Sequence, residues 1–278
     1  MSILLLAATG LFAGFFGSML GIGGGFLIVP VLTLAMRLPI QIAIASSLVA
    51  IVANACLAAS RYTRSQLTNV KLGLLLCSTT VPGAMVGGLL AKVVAPEVLA
   101  VFFGILLVYV AWTMVMGQDP NSGRPNEENS LATVGYMSDT NSYYDKAASK
   151  FVLYRIRHIP YGLGGSFFAG VLSTLLGIGG GVIQVPIMNV VMTVPIKIAI
   201  GTSTFMIAIT TAAGALVYYH NDYVYPVLVA PLVLGTLLGA FTGTVLIERI
   251  RPAALRRAFG VLLFITAVAM FLKVASLL

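Results

Sequence analysis

The chain has 278 residues, 59% of them hydrophobic and 9% charged, with a mean hydropathy of +1.02. Soluble domains carry about a quarter charged residues, so this composition excludes an ordinary globular protein and a disordered one alike. The net charge of +8 is not read as a nucleic-acid signature, because Lys and Arg cluster in short connections between apolar stretches, where the positive-inside rule expects them.

The first apolar stretch, about 3–36, is interrupted by LGIGGG at Leu20–Gly25 and followed by Pro30. Its opening, MSILLLAATG, lacks the basic start of a signal peptide. The continuation FAGFFGSMLGIGGG reappears downstream as FAGVLSTLLGIGGG, so the segment reads as part of the fold. Uninterrupted helices are expected near 40–60, 71–92 and 97–116, each with the ~18 uncharged residues that span a bilayer. Cys56 and Cys77 fall in apolar segments without metal-ligand spacing and read as small core residues. A polar linker occupies 118–157. The second half has a broken stretch at about 162–193, with LGIGGG at Leu176–Gly181 and then Pro186; helices follow near 196–218, 225–247 and 253–275. The organisation is a first membrane repeat at 1–117, a polar cytoplasmic linker at 118–157 and a second membrane repeat at 158–278.

Shifting the sequence by 156 positions (Gly179 against Gly23) aligns the halves without a gap over about 98 positions, roughly a third of them identical. Paired prolines at 39/195 and 96/252 fit helix starts, where the missing N–H costs nothing. Gly83 and Gly87, with Gly235, Gly239 and Gly243, place small residues on one helix face for close helix approach. Charge then sets orientation. The second-to-third helix connection of the first half carries Arg61, Arg64 and Lys71, whereas its counterpart has only His220 and Asp222; the next connection reverses this, with Arg249, Arg251, Arg256 and Arg257 in the second half. The expected fold is an all-α polytopic membrane protein of two inverted repeats. Each repeat is a glycine-broken, re-entrant segment plus three transmembrane helices, giving eight helical membrane segments if the broken ones count as spans. The competing arrangement has eight full crossings and parallel repeats, and leaves the charge reversal unexplained.

Non-helical backbone at membrane depth is tolerated where it is buried in protein or lines a watery cavity, and matched breaks in two halves point to a transporter's binding site. Glycine lets backbone approach a ligand, and a helix restarting after the break aims free N–H groups at it. The expected substrate-binding residues are Gly23, Gly24 and Gly25 with Gly179, Gly180 and Gly181. Ser46 and Ser47 in IAIASS, and Thr202 and Ser203 in IAIGTS, add hydroxyls; Gln184 adds asymmetry. Asn54, Thr204, Thr210 and Asn189 are further polar groups in these segments, and Ser or Thr in such helices commonly bonds back to its own backbone. Neither copy is a phosphate loop, since no Lys-Ser/Thr follows.

All eight acidic residues lie in the linker or near helix ends, which disfavours a cation pathway or carboxylate relay and suits an anion. Arg37, Arg61, Lys71 and Lys197 are candidates for drawing it in, against a simpler role in lipid-headgroup contact. No catalytic residue, metal or cofactor is expected: both histidines lie at segment ends and buried Asp pairs are missing. An anion channel, or a partner-binding protein using the linker, are the alternatives. Within the linker, KFVLYRIRHI alternates apolar and basic residues and suits a short strand or a headgroup-lying segment.

The duplicated GxxxGxGGG…P blocks, the IAIxSS/IAIxTS segments and the SYYD…Y…IRHIP linker resemble the sulfite exporter TauE/SafE family, also called the toluene-sulfonate uptake permease family, over nearly the whole chain. The resemblance implies a secondary transporter of sulfite, sulfoacetate or other organosulfonates in the cell membrane, with the family motif on Gly21, Gly23–Gly25 and Pro30 and on Gly177, Gly179–Gly181 and Pro186. Its partners would be the small sulfur-containing anion, protons as a candidate coupling ion, and membrane lipid; nucleic acid is not among them. A transporter of a non-sulfur small anion is the further alternative, since which anion, its direction and the oligomeric state are not written in these motifs.

Overall fold

The apolar runs become helices that end at the glycines, prolines and polar turns between them. The computed structural model describes residues 2–91, 141–145 and 150–246, with scattered positions between 93 and 112 and between 261 and 268. The helices expected at 97–116 and 253–275, and most of the linker, lie outside the described residues. In chain order the elements are α1 (Ser2–Leu20), α2 (Gly25–Leu34), α3 (Ile40–Arg64), α4 (Val70–Leu90), strands β1 (Asn141–Asp145) and β2 (Lys150–Tyr154), α5 (Ile159–Leu176), α6 (Gly181–Pro186), α7 (Ile196–Tyr219) and α8 (Pro226–Leu246). A π-helical turn, Ile187–Val191, extends α6.

Among the described residues, six helices (α1, α3, α4, α5, α7 and α8) are long and apolar enough to cross a membrane. The chain is therefore a multi-pass helical membrane protein. The first arms of the broken segments, α1 and α5, each include an apolar stretch of 18 residues, long enough to cross a membrane, and only the second arms are short. The fold is not purely α, unlike the sequence expectation: β1 and β2 pair antiparallel, with Tyr143 opposite Val152 and Asn141 opposite Tyr154, as alternation in KFVLY allows.

Local chemistry sets the helix boundaries. Pro39 and Pro195 stand immediately before α3 and α7 with nearly identical extended backbone, and Asn69 caps α4 by accepting the Leu72 N–H at 3.0 Å. The halves interleave. Gly235, Gly239 and Gly243 of α8 face the backbone of Ala7, Leu11 and Phe15 of α1 in rising order, so these helices run parallel. Gly83 and Gly87 of α4 meet Phe167 and Val171 of α5 in the same way, and these contacts map onto those of Gly239 and Gly243 under the 156-residue shift. By contrast, the connection that leaves the end of α3 meets the start of α7: Gly201 abuts the Leu67 carbonyl, and the Asn69 N–H donates to Thr202 Oγ1 at 3.0 Å. These matched helices run antiparallel. Neither repeat completes its own core; each lends α1 or α5 to the fourth helix of the other.

A Cβ at Gly239 would overlap the Leu11 carbonyl, whereas a Cβ at Gly164 meets nothing within 4 Å. Gly239→Leu is therefore expected to destabilise the detergent-purified protein by about 1–3 kcal/mol or more. Gly164→Ala should be neutral or stabilising by up to about 1 kcal/mol. Thermal unfolding of the two variants checks the pair, and equal melting temperatures would contradict the assigned α1–α8 contact.

Candidate functional site

Each break is built by glycines in the left-handed region: φ is 71°, 92° and 96° at Gly21, Gly23 and Gly24, and 68°, 90° and 80° at Gly177, Gly179 and Gly180. Side-chain-bearing residues rarely adopt such backbone, which accounts for the repeated motif. As α1 ends, the N–H groups of Ile22 and Gly23 turn back to the Gly17 carbonyl at 2.9 and 3.2 Å. The chain then reverses. A Cβ on Gly24 would overlap the Ala13 carbonyl, so α2 begins alongside the middle of α1. The second break repeats this with Ile178 N–H on the Ser173 carbonyl at 3.1 Å and Gly180 beside Ser173.

The two breaks meet. Gly25 lies against the Gly177 carbonyl, Gly181 against the Gly21 carbonyl, and Gly23 and Gly179 face the side chains of Ile51 and Ile207. Both isoleucines are fully buried. One carbonyl at each break is taken by a serine of the opposite repeat. Ser203 Oγ donates to Gly21 O at 2.7 Å and Ser47 Oγ to Gly177 O at 2.8 Å, each sharing its proton with its own helix at Ile200 and Ile44. Asn54 Nδ2 donates to Gly23 O at 2.8 Å. Tyr62 donates to Ser18 O at 2.7 Å and its repeat partner Tyr218 to Thr174 O at 3.3 Å, each within its own repeat.

Donors remain. Among the described residues no backbone carbonyl takes the N–H groups of Gly24, Gly25 and Phe26, or of Gly180, Gly181 and Val182. The eleven expected residues, six glycines with Ser46, Ser47, Thr202, Ser203 and Gln184, are thus sorted by the geometry. Gly23, Gly25, Gly179 and Gly181 come together at the contact, while Gly24 and Gly180 face their own first arms. Ser47 and Ser203 hold the breaks rather than standing free. The Thr202 hydroxyl accepts from Asn69, whereas Ser46 Oγ and both ends of the Gln184 amide are buried without a partner. Thr204 and Thr210 bond back to Ile200 and Met206.

The basic candidates divide. Arg61 is fastened to α8, donating to Phe241 O at 2.9 Å and lying 3.9 Å above the Phe241 ring. Arg37 and Lys71 are exposed. Lys197 is 2% exposed, which rules out the headgroup contact expected of it. Sequence reading passed over the Tyr62/Tyr218 pair and Ser173. The tyrosines are identical under the 156-residue shift, and that signal was available; Ser173 stands where the first half has Gly17, a difference whose meaning needs the fold. Among the described residues no cluster of three or more His, Cys, Asp or Glu could hold a metal ion.

The β-hairpin is joined to the membrane body. Tyr154, buried and stacked edge-on with Tyr143 at 6.4 Å, receives a hydrogen bond from Asn69 Nδ2 at 3.3 Å. Burial raises its phenol pKa above the ordinary value, opposed in part by that bond, so the group is un-ionised at neutral pH. Thr193 Oγ1 donates to Arg155 O and Arg157 N–H to Met192 O, both at 3.1 Å, tying the hairpin to the end of the second broken segment.

Comparison with known proteins gives a match of residues 6–270 to a family model described as "Sulfite exporter TauE/SafE". The probable membrane transporter protein YunE of Bacillus subtilis is 27% identical over 87% of this chain and 88% of its own length. A probable membrane transporter protein of Methanocaldococcus jannaschii is 25% identical over 91% of this chain and 89% of its own, and one of Haemophilus influenzae is 27% identical over 98% of each. No solved structure gives a significant match.

Removing the hydroxyl of Ser47 or Ser203 leaves a buried carbonyl of the opposite break unpaired. Ser47→Ala and Ser203→Ala should each destabilise the protein by about 1–3 kcal/mol. Ser78→Ala, at an exposed hydroxyl that bonds only its own helix, should stay within about 0.5 kcal/mol. Thermal unfolding in detergent measures all three, and a loss at Ser78 equal to those at the break serines would contradict the crossed bonding.

Proposed function

This chain belongs to the sulfite exporter TauE/SafE family, and from that premise we propose that it is a secondary transporter moving sulfite or organosulfonate anions across the cell membrane. The relatives it matches are named as membrane transporters, not as enzymes. The observation that carries the reading is the contact of two left-handed glycine breaks, each held by a serine of the other repeat, with unpaired N–H groups on both sides. Such groups at restarting helices favour negative charge. Gly23–Gly25, Gly179–Gly181, Ser46 and Gln184 are the groups assigned to the anion, with Ser47, Ser203 and Thr202 shaping the cradle.

The arrangement assigned to the halves is inverted, with the broken segments as hairpins. Three facts support it: the antiparallel pairing of α3 with α7, the parallel pairing of α1 with α8, and the return of α2 alongside α1. A two-fold relation that reverses matched spanning helices has its axis in the membrane plane, as in carriers that work by rocking one part against another. Burial of the breaks beneath Ile51 and Ile207 favours a carrier with alternating access over an open channel. The linker at 118–157 is assigned to the cytoplasm by its basic flank, and protons are the coupling ion first to be tested.

Purified protein in liposomes is expected to take up isotopically labelled sulfite saturably, with competition by small alkylsulfonates. Uptake of another anion class, with no response to any sulfur anion, would overturn the substrate assignment. Single cysteines at Ser65, Ala95, Ser130, Asn221 and Ile250, in a chain lacking Cys56 and Cys77, test the topology. Positions 65, 130 and 250 should label from one side and 95 and 221 from the other; labelling of 65 and 221 from the same side would refute inversion.

A further inference from the structure

The two broken segments share a backbone but not a lining. In the second, α5 and α6 run antiparallel: Gly180 lies beside Ser173, Gly165 against Ile187, and Gly162 against Met192. Gln184 falls between Gly180 and Ile187, four residues after one and three before the other, and so shares their face toward α5. Ser166 and Ser173 are seven residues apart, on one side of α5. All three side chains are 1% exposed. Four of their polar atoms, Ser166 Oγ, Ser173 Oγ, Gln184 Oε1 and Gln184 Nε2, have no hydrogen-bond partner.

Under the 156-residue shift the first half has Gly10, Gly17 and Ile28 at these places, two positions without a side chain and one apolar. The repeat thus demonstrates that the same backbone closes without polar groups there. Buried orphan hydroxyls and amides destabilise a fold, and a native protein that retains them together invites a functional explanation. The π-helical turn at Ile187–Val191 begins three residues after Gln184, and such turns inside α-helices frequently accompany functional sites.

We propose that the α5–α6 seam is an asymmetric anion-recognition slot, in which Ser166, Ser173 and Gln184 bind the head of a small, singly charged oxyanion. The proposal rests on the transport reading above and places recognition in the second repeat. The two hydroxyls and the Gln184 Nε2–H groups donate to the anion's oxygens, and the free N–H groups of Gly180–Val182 lie at the end of the same seam. Gln184 Oε1 is an acceptor, suited to a remaining O–H of a protonated oxyanion. The slot's own donors are uncharged, so it favours a monoanion such as hydrogensulfite or an alkylsulfonate over a dianion such as sulfate.

The test compares the full-length protein with Gln184→Ile, the residue of the first repeat, and with Ser173→Ala; Ser78→Ala is the control. Anion-induced thermal stabilisation in lipid-free detergent is titrated with sulfite, methanesulfonate and sulfate, with phosphatidylglycerol as a separate arm. Wild type should respond to sulfite and methanesulfonate more than to sulfate. Gln184→Ile should raise the half-effect concentration about tenfold or more, the loss of hydrogen bonds to a charged group, while its ligand-free melting temperature stays level or rises. Ser173→Ala should shift it in the same direction, and Ser78→Ala should not. Unchanged half-effect concentrations in both slot variants, no wild-type response to any anion, or a Gln184-dependent response to phosphatidylglycerol alone would overturn the proposal. If Gln184→Ile does not fold, Gln184→Met and Ser173→Ala decide it. Sulfite uptake by liposomes separates the two readings: uptake unaltered in the variants removes the slot and leaves the transporter, whereas absent wild-type uptake removes the transport assignment.

Discussion

A chain that leaves the helix inside a membrane exposes carbonyl and N–H groups that lipid cannot satisfy, and every such group must find a partner within the protein or in a watery site. Here three break carbonyls find donors on neighbouring helices: Ser47 and Ser203 reach across to Gly177 and Gly21, and Asn54 takes Gly23. The donors of Gly24–Phe26 and Gly180–Val182 are left over. Free N–H groups at restarting helices favour an incoming anion on the proposed transport reading.

The crossed serines also explain why the halves cannot be separated. Each repeat's break is completed by the other repeat's helix, and each α1-type helix lies along glycines of the opposite fourth helix. A cluster of buried side chains runs through both halves. On the proposed carrier reading, motion that opens one side has to keep or exchange these cross-repeat bonds at the contact of Gly25 with Gly177 and of Gly181 with Gly21.

Much of this was legible in the sequence because duplication writes the same constraint twice. The left-handed glycines, the helix-opening Pro39 and Pro195 and the Ser47/Ser203 pair all recur at a fixed shift, and each carries a local rule. The Tyr62/Tyr218 pair carried the same signal and was missed because a tyrosine in an apolar helix needs no special reading. What repeats cannot announce is direction of side chains. Thr202 bonds Asn69, the residue that caps α4, rather than the break, and Lys197 is buried rather than at the headgroups. The difference between Ser173 and Gly17 acquired meaning only once α6 was seen to lie on that face of α5.

The central claim is that the anion sits where the two glycine breaks meet, and anomalous diffraction tests it most directly. Crystals of the full-length protein soaked with selenite, the heavier analogue of sulfite, would mark the anion without ambiguity of scattering. The account predicts an anomalous selenium peak that places selenite oxygens within hydrogen-bonding distance of the N–H groups of Gly180–Val182 or Gly24–Phe26, inside the protein at the level of Ile51 and Ile207. A peak confined to the exposed basic connections, with none at the breaks, would contradict it.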